Sequence, residues 1–360
     1  MTTPDSSAPR DAATDIPAPA GRLRRIGLFA GPLLAVLAYL LLPSAYTSAA
    51  GDSVVFTHAG RATAALAVWM AVWWMTEAIP VYATALLPLG MLPLLRAGTA
   101  REAAAPYGNE LLFLFLGGFV LALSMQRWGL DRRIAFGVLR LLGTRADVLV
   151  LGFMAVAAFL SMWVSNTAAT LTLYPVALSV LALAAAHSGG DASQQRNLGH
   201  ALLLGVAYAA SIGGLGTLIG TPPNLFLASY ARDTLGIEIG FARWMLLGVP
   251  LVLLFLPVAW WLLVRVFPLR GRRIDGVKEL IRDALRDLGP LSAGERATLA
   301  AFALAVTGWV FRPLLMAVEV AGHRPLAGLT DSGVAILAAL LLFVLPAGRA
   351  APGKAVMDWE

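Results

Sequence analysis

Long apolar runs alternate along this chain with short polar or charged breaks. Two of the longest runs are interrupted from within by small polar residues and glycines. A crossing helix needs about 20 mostly apolar residues. On that measure the crossings fall at 26–43, 62–79, 111–125, 241–267, 297–316 and 334–346, with a short run at 83–95 interrupted by Pro88 and Pro93. Residues 128–142 carry Arg132, Arg133 and Arg140 on an otherwise apolar body, which suits an amphipathic helix in the interface plane. Residues 274–288 read as a second, strongly charged amphipathic helix with a solvated face. Stretch 148–186 holds no charge at all, and 198–230 is long but broken at 213–223. The pattern predicts an all-α polytopic membrane protein.

The first interruption is Ser161-Met162-Trp163-Val164-Ser165-Asn166-Thr167. Hydroxyls and an amide in lipid need internal partners or a wet cavity. Ser161 and Ser165 are four apart and share one face if the arm is helical. The Asn166 amide oxygen suits a cation, while its NH2 and the Thr167 hydroxyl can donate to a carboxylate. The second interruption, 211–224, has glycines at 213, 214, 216 and 220 and prolines at 222 and 223, so no helix continues through it. Its freed carbonyls suit a hard cation, and the half-helix that follows favours an anion at its N-terminus. The plainer alternatives are close helix packing by small residues and a simple kink.

Of 360 residues, 59% are hydrophobic and 13% charged. Soluble domains carry roughly 25% charge, so composition excludes that class. The net charge of +6 would suggest nucleic acid in a soluble chain, but the charges sit between apolar runs. With no cysteine and four scattered histidines (His58, His187, His200, His323), neither a disulfide framework nor a metal pair is expected. Of the 27 basic residues, 19 collect on one side if the N-terminus is cytoplasmic, and the dense 265–286 block is among them. The positive-inside rule therefore selects that orientation. Arg145 and Arg196 then lie on the same side, so 148–186 enters and returns. Charge leaves two crossings or a re-entrant hairpin open; the polar tip favours the hairpin. Glu77 invites a functional role by its depth, although a scaffold hydrogen bond is the stronger expectation. Trp69, Trp73 and Trp74 read as packing and interface anchors. No nucleophile–base pair is found, so a transporter is expected and not an enzyme.

The run 159–170, together with 207–224, resembles the divalent anion:sodium symporter family, the dicarboxylate and citrate transporters. Trp73-Trp74-Met75-Thr76-Glu77-Ala78-Ile79-Pro80, Phe113–Phe119 and Leu130-Asp131-Arg132-Arg133-Ile134 support the resemblance. It implies an inverted-repeat, elevator-type fold with a re-entrant helical hairpin, usually a homodimer in the bilayer of a bacterial-type inner membrane. It implies sodium coupling and a small dicarboxylate of the succinate, malate or fumarate class; sulfate or another divalent anion is the alternative. Carried across, Ser165, Asn166, Thr167, Thr221 and Pro222 would contact substrate. Ser161, Ser165, Asn166, Gly214 and Gly216 would hold sodium.

The corresponding division is a disordered tail at 1–21, scaffold helices with a cytoplasmic interfacial helix at 22–145, and a transport half at 146–273. The transport half comprises a hairpin at 146–187, a broken helix at 198–230 and a helix at 241–267. A cytoplasmic amphipathic helix at 274–290 and the start of a second scaffold repeat at 291–360 complete it. Ser165-Asn166-Thr167 is the only triplet of its kind, so the second repeat is expected to be incomplete and the chain to resemble a truncated or split member; the alternative to a sodium-coupled transporter is a half that is inactive alone and needs a complementary chain.

Overall fold

The computed structural model describes residues 21–47, 51–141, 143–186, 192–269, 273–320, 322–348 and 353–359. The tail expected at 1–21 falls outside them except for Gly21, as does His187. Contacts divide the chain into two compact units, Met1–Asn109 and Glu110–Glu360.

In the first unit, α1 (Gly21–Leu41) packs against α2 (His58–Thr76), joined by a small hairpin of β1 (Ala45–Thr47) and β2 (Ser53–Val55) that the apolar pattern did not announce. Gly27, Gly31 and Ala35, each four apart, form the buried stripe of α1. A side chain at Gly27 would collide with Thr76, and one at Gly31 with Trp73 and Trp69. Lipid gives helices no hydrophobic reason to associate, so this close backbone approach is what joins them. The short run at 83–95 becomes two pieces, α3 (Val81–Thr84) and α4 (Leu87–Leu94), because Pro88 in the first turn of α4 has no N–H for the preceding turn. The unit closes with α5 (Ala100–Ala104), started by a reciprocal Thr99–Glu102 cap, and a 3-10 turn at Ala105–Gly108. Glu77 is exposed at the end of α2 in a left-handed conformation (φ 47°), and its side chain has no hydrogen bond among the described residues, contrary to the scaffold role expected for it. Trp73 Nε1 donates to the Leu28 carbonyl (3.3 Å) and Trp74 Nε1 to that of Val81 (3.3 Å), as anchors do.

The second unit contains α6 (Glu110–Arg127), α7 (Leu130–Leu139), α8 (Ala146–Ser161) and α9 (Asn166–Ala186). It continues with α10 (Ala192–Gly213), a 3-10 turn (Gly214–Gly216), α11 (Pro222–Leu235), α12 (Phe241–Val266) and α13 (Val277–Asp287). Helices α14 (Ala293–Val310), α15 (Arg312–Met316) and α16 (Asp331–Val344) follow. Ala201, Gly205, Ala209 and Gly213 repeat every fourth residue down α10 and are all buried, so α8 lies tightly along it. Gly117 of α6 lies against the Ala335 backbone of α16 in the same way. The run at 297–316 is divided by Pro313 into α14 and α15.

Among the described residues, five helices are long and apolar enough to cross a membrane: Gly21–Leu41, Glu110–Arg127, Asn166–Ala186, Ala192–Gly216 and Phe241–Val266. The chain is an all-α multi-pass membrane protein. Both amphipathic helices are packed on protein as well as charged. In α7, Leu130, Asp131, Ala135 and Leu139 are buried, and Asp131 accepts from the Thr172 hydroxyl of α9 at 2.7 Å. In α13, Val277 and Ile281 are buried against the main core. Arg133 ties these elements together by donating to Glu295 (2.5 Å) and to the carbonyls of Leu288 and Gly289 beyond the end of α13.

Candidate functional site

Helix α8 stops at Ser161, α9 starts at Asn166, and the turn between them is the tip of a helical hairpin. The helical arm expected to carry Ser161 and Ser165 on one face therefore ends before Ser165. Ser165 instead caps α9, its Oγ accepting from the Ala168 amide at 3.2 Å. Ser161 is fully buried, and its hydroxyl donates to the Asn166 side-chain oxygen at 2.6 Å across the turn.

The second interruption lies directly against this tip. Thr217 Oγ1 donates to the Met162 carbonyl. A Cβ at Gly213 would run into the Ala158 backbone, one at Gly216 would meet the Met162 side chain at 2.9 Å, and one at Gly214 would stand 2.7 Å from Asn166 Oδ1. Glycine is required at 213 and 214 for that approach. The break is braced by Asn224, 3% exposed, whose NH2 donates to the carbonyls of Gly214 (2.7 Å) and Thr217 (2.8 Å). Trp244 Nε1 holds the Leu215 carbonyl at 2.9 Å. Buried carbonyls freed by a broken helix need such donors.

Between tip and break is a cavity of about 240 Å³. Ser165, Asn166, Thr167, Thr221 and Pro222, the whole expected substrate set, line it together with Phe115, Phe119 and Trp163. Among the described residues no charged side chain does so. Of the expected sodium set, Ser165 and Asn166 line the cavity, Ser161 and Gly214 touch Asn166 from behind, and Gly216 packs on Met162. The donors are neutral oxygens: two hydroxyls, one amide and backbone carbonyls. Among the described residues no cluster of three His, Cys, Asp or Glu could hold a metal. Neutral oxygens of this kind suit an alkali cation better than a transition metal.

Two residues gain importance that the sequence reading did not assign. Asn224 closes the Gly-Thr-Pro-Pro run, and a polar residue following two prolines at a half-helix start was its available signal. Trp163 lines the cavity with a buried indole N–H that has no partner among the described residues, and its ring stacks in a column with Phe241 and Trp309. Its signal was hidden because an aromatic residue in an apolar run reads as packing.

The sodium-dependent dicarboxylate transporter SdcS of Staphylococcus saprophyticus is 39% identical over 340 residues, covering 93% of this chain and 63% of the relative. The protein of the same description from Staphylococcus aureus strain USA300 is 37% identical over 348 residues, covering 96% of this chain. The chain thus spans 63–64% of the length of these curated relatives. Residues 34–360 match the family described as the sodium:sulfate symporter transmembrane region, and the chain belongs to that divalent anion:sodium symporter family.

Proposed function

We propose that this chain carries the cation and anion site of a sodium-coupled symporter for small dicarboxylates, of the succinate, malate and fumarate class. The observation that supports it most is the meeting of two polar membrane breaks around one small cavity free of fixed charge. At about 240 Å³ the cavity falls below the roughly 300–1,000 Å³ usual for drug-sized ligands, which favours a small anion. Ser165, Asn166, Thr167, Thr221 and Pro222 would contact the substrate. Its carboxylates would meet hydroxyl and amide donors and the N-termini of α9 and α11. Ser161, Ser165, Asn166 and carbonyls at Gly214 and Gly216 would surround sodium, whose charge would offset that of the anion beside it. Both relatives are described as sodium-dependent dicarboxylate transporters, which agrees with this reading.

The same reading assigns 146–273 to a moving transport half and 22–145 to scaffold in an elevator mechanism. It places the protein as a homodimer in an inner membrane with its N-terminus in the cytoplasm. Sulfate is the second reading, because the cavity presents no arginine to distinguish a dicarboxylate from a compact dianion. Reconstitution in vesicles tests the proposal. Uptake of labelled succinate driven by a sodium gradient, competed weakly by sulfate and lost in Asn166→Ala with insertion intact, is the expected result. Succinate uptake indifferent to sodium, or unaltered by Asn166→Ala, would overturn it.

A further inference from the structure

A second cavity lies within the first compact unit. It is an apolar crevice of about 340 Å³ between α1, α2 and α4, lined by Val36, Leu66, Trp69 and Met91, with Tyr39 and His58 at one end. His58 Nε2 donates to the Leu95 carbonyl at 2.7 Å, and its Nδ1 faces the Tyr39 hydroxyl at 2.7 Å, so the polar end is fixed in place. Arg61, in the first turn of α2, lies over the Tyr39 ring with its Cζ 5.1 Å from the centroid. Its Nε is buried without a hydrogen-bond partner, and no carboxylate pairs with it among the described residues.

Helix α1, one of the five long and apolar enough to cross a membrane, has 21 residues, about 32 Å at 1.5 Å per residue, close to the roughly 30 Å of a hydrocarbon core. Tyr39 lies in the last turn of α1 and bonds His58, so the Tyr39–His58 end of the crevice, with Arg61 beside it, falls near the level where lipid phosphates begin. A helix N-terminus adds partial positive charge there. An unpaired cation at headgroup depth, set at the end of an apolar slot, is complementary to one molecule that carries a phosphate directly above an acyl chain. We propose that this crevice binds an anionic phospholipid, its phosphate on Arg61 at the Tyr39–His58 end and one acyl chain along Val36, Leu66 and Met91. A helix from a second copy would fill the slot but leave the guanidinium without a counter-charge.

Native mass spectrometry of the full protein, released from nanodiscs of equal phosphatidylglycerol and phosphatidylcholine, tests this. The expected result is a retained phosphatidylglycerol on the wild type and retention lowered roughly tenfold or more in Arg61→Ala, the scale of a lost charge-assisted hydrogen bond. Val36→Trp, at an exposed crevice position with Arg61 intact, should lose it too, while Arg61→Lys keeps it. Circular dichroism melting identifies any variant that fails to fold, and the remaining variants then decide. Equal retention of both lipids, retention unchanged in Arg61→Ala and Val36→Trp, or a Val36→Trp protein that changes only its oligomeric mass would overturn the proposal.

Discussion

Ser161 and Asn166 face each other across the tip of the α8–α9 hairpin, the serine hydroxyl donating to the amide oxygen at 2.6 Å. One side chain ends a helix, the other begins the next, and the bond between them sets where the amide points. Ser161→Ala removes one neutral hydrogen bond, which costs about 1 kcal/mol of stability. Its effect on sodium should be larger than that, because the amide oxygen loses its fixed position. Isothermal titration of sodium-dependent succinate binding is expected to show a raised sodium requirement, with folding little changed by thermal melting.

Gly214 packs on the other side of the same amide, and an added methyl would stand 2.7 Å from its oxygen. Gly214→Ala is expected to fold but to displace Asn166, so that sodium no longer raises the melting temperature. Gly213→Ala meets the backbone of Ala158 instead, which no rotamer change relieves. That variant should lose stability outright, and melting curves of the two variants without sodium separate the outcomes.

Asn224 spends both N–H groups on carbonyls of the break. Asn224→Leu keeps the branching but takes the side-chain donor from the Gly214 carbonyl and leaves that of Thr217 with only the Gly220 amide (3.3 Å), at a cost on the order of 2–3 kcal/mol. Denaturant or thermal unfolding in detergent should register the loss in the absence of any ligand.

Asp331, in the first turn of α16, is 8% exposed and accepts from the Phe241 amide that opens α12 (2.8 Å), with Arg312 Nε at 3.4 Å. Arg312 also reaches Glu238 at 3.4 Å. Removing the arginine strands a buried carboxylate, so Arg312→Ala should destabilise by roughly 3 kcal/mol. Adding Asp331→Asn to that variant removes the stranded charge while an amide oxygen still accepts from Phe241. The double variant is expected to melt above the single one; equal melting temperatures would show that the charge contributes nothing.

Arg127 donates to both carboxylate oxygens of Asp358 at 2.6 Å, which holds the Asp358 carboxyl below the ordinary aspartate range. A depressed acid contributes in full above its unfolded value and loses its contribution as pH falls through the folded one. The Arg127–Asp358 tie is therefore expected to hold from neutral pH down to about 4 and to release below it, loosening 353–359 while the backbone bonds of Val356 and Met357 remain. Hydrogen exchange of that segment, corrected for intrinsic rates, should show this step in the wild type. Asp358→Asn should have weaker protection at neutral pH and no step.

Apolar length and charge placement alone identified helices at nearly every crossing, because lipid forbids any other way to satisfy backbone groups. The two interruptions were legible for the same reason: glycines, prolines and hydroxyls stand out where everything else is apolar. Their residue types also indicated neutral oxygen chemistry. Sequence could not decide that the tip of one break touches the other, since about fifty residues separate them and only packing brings them together. The small-residue stripe Ala201, Gly205, Ala209 and Gly213 permits that packing by letting α8 lie close along α10. Nor could the sequence assign Asn224 and Trp163 their places, or show that Ser165 caps a helix and leaves the face of Ser161. Those depend on which carbonyls remain unpaired once the helices meet, a property of the assembled fold and of no single segment.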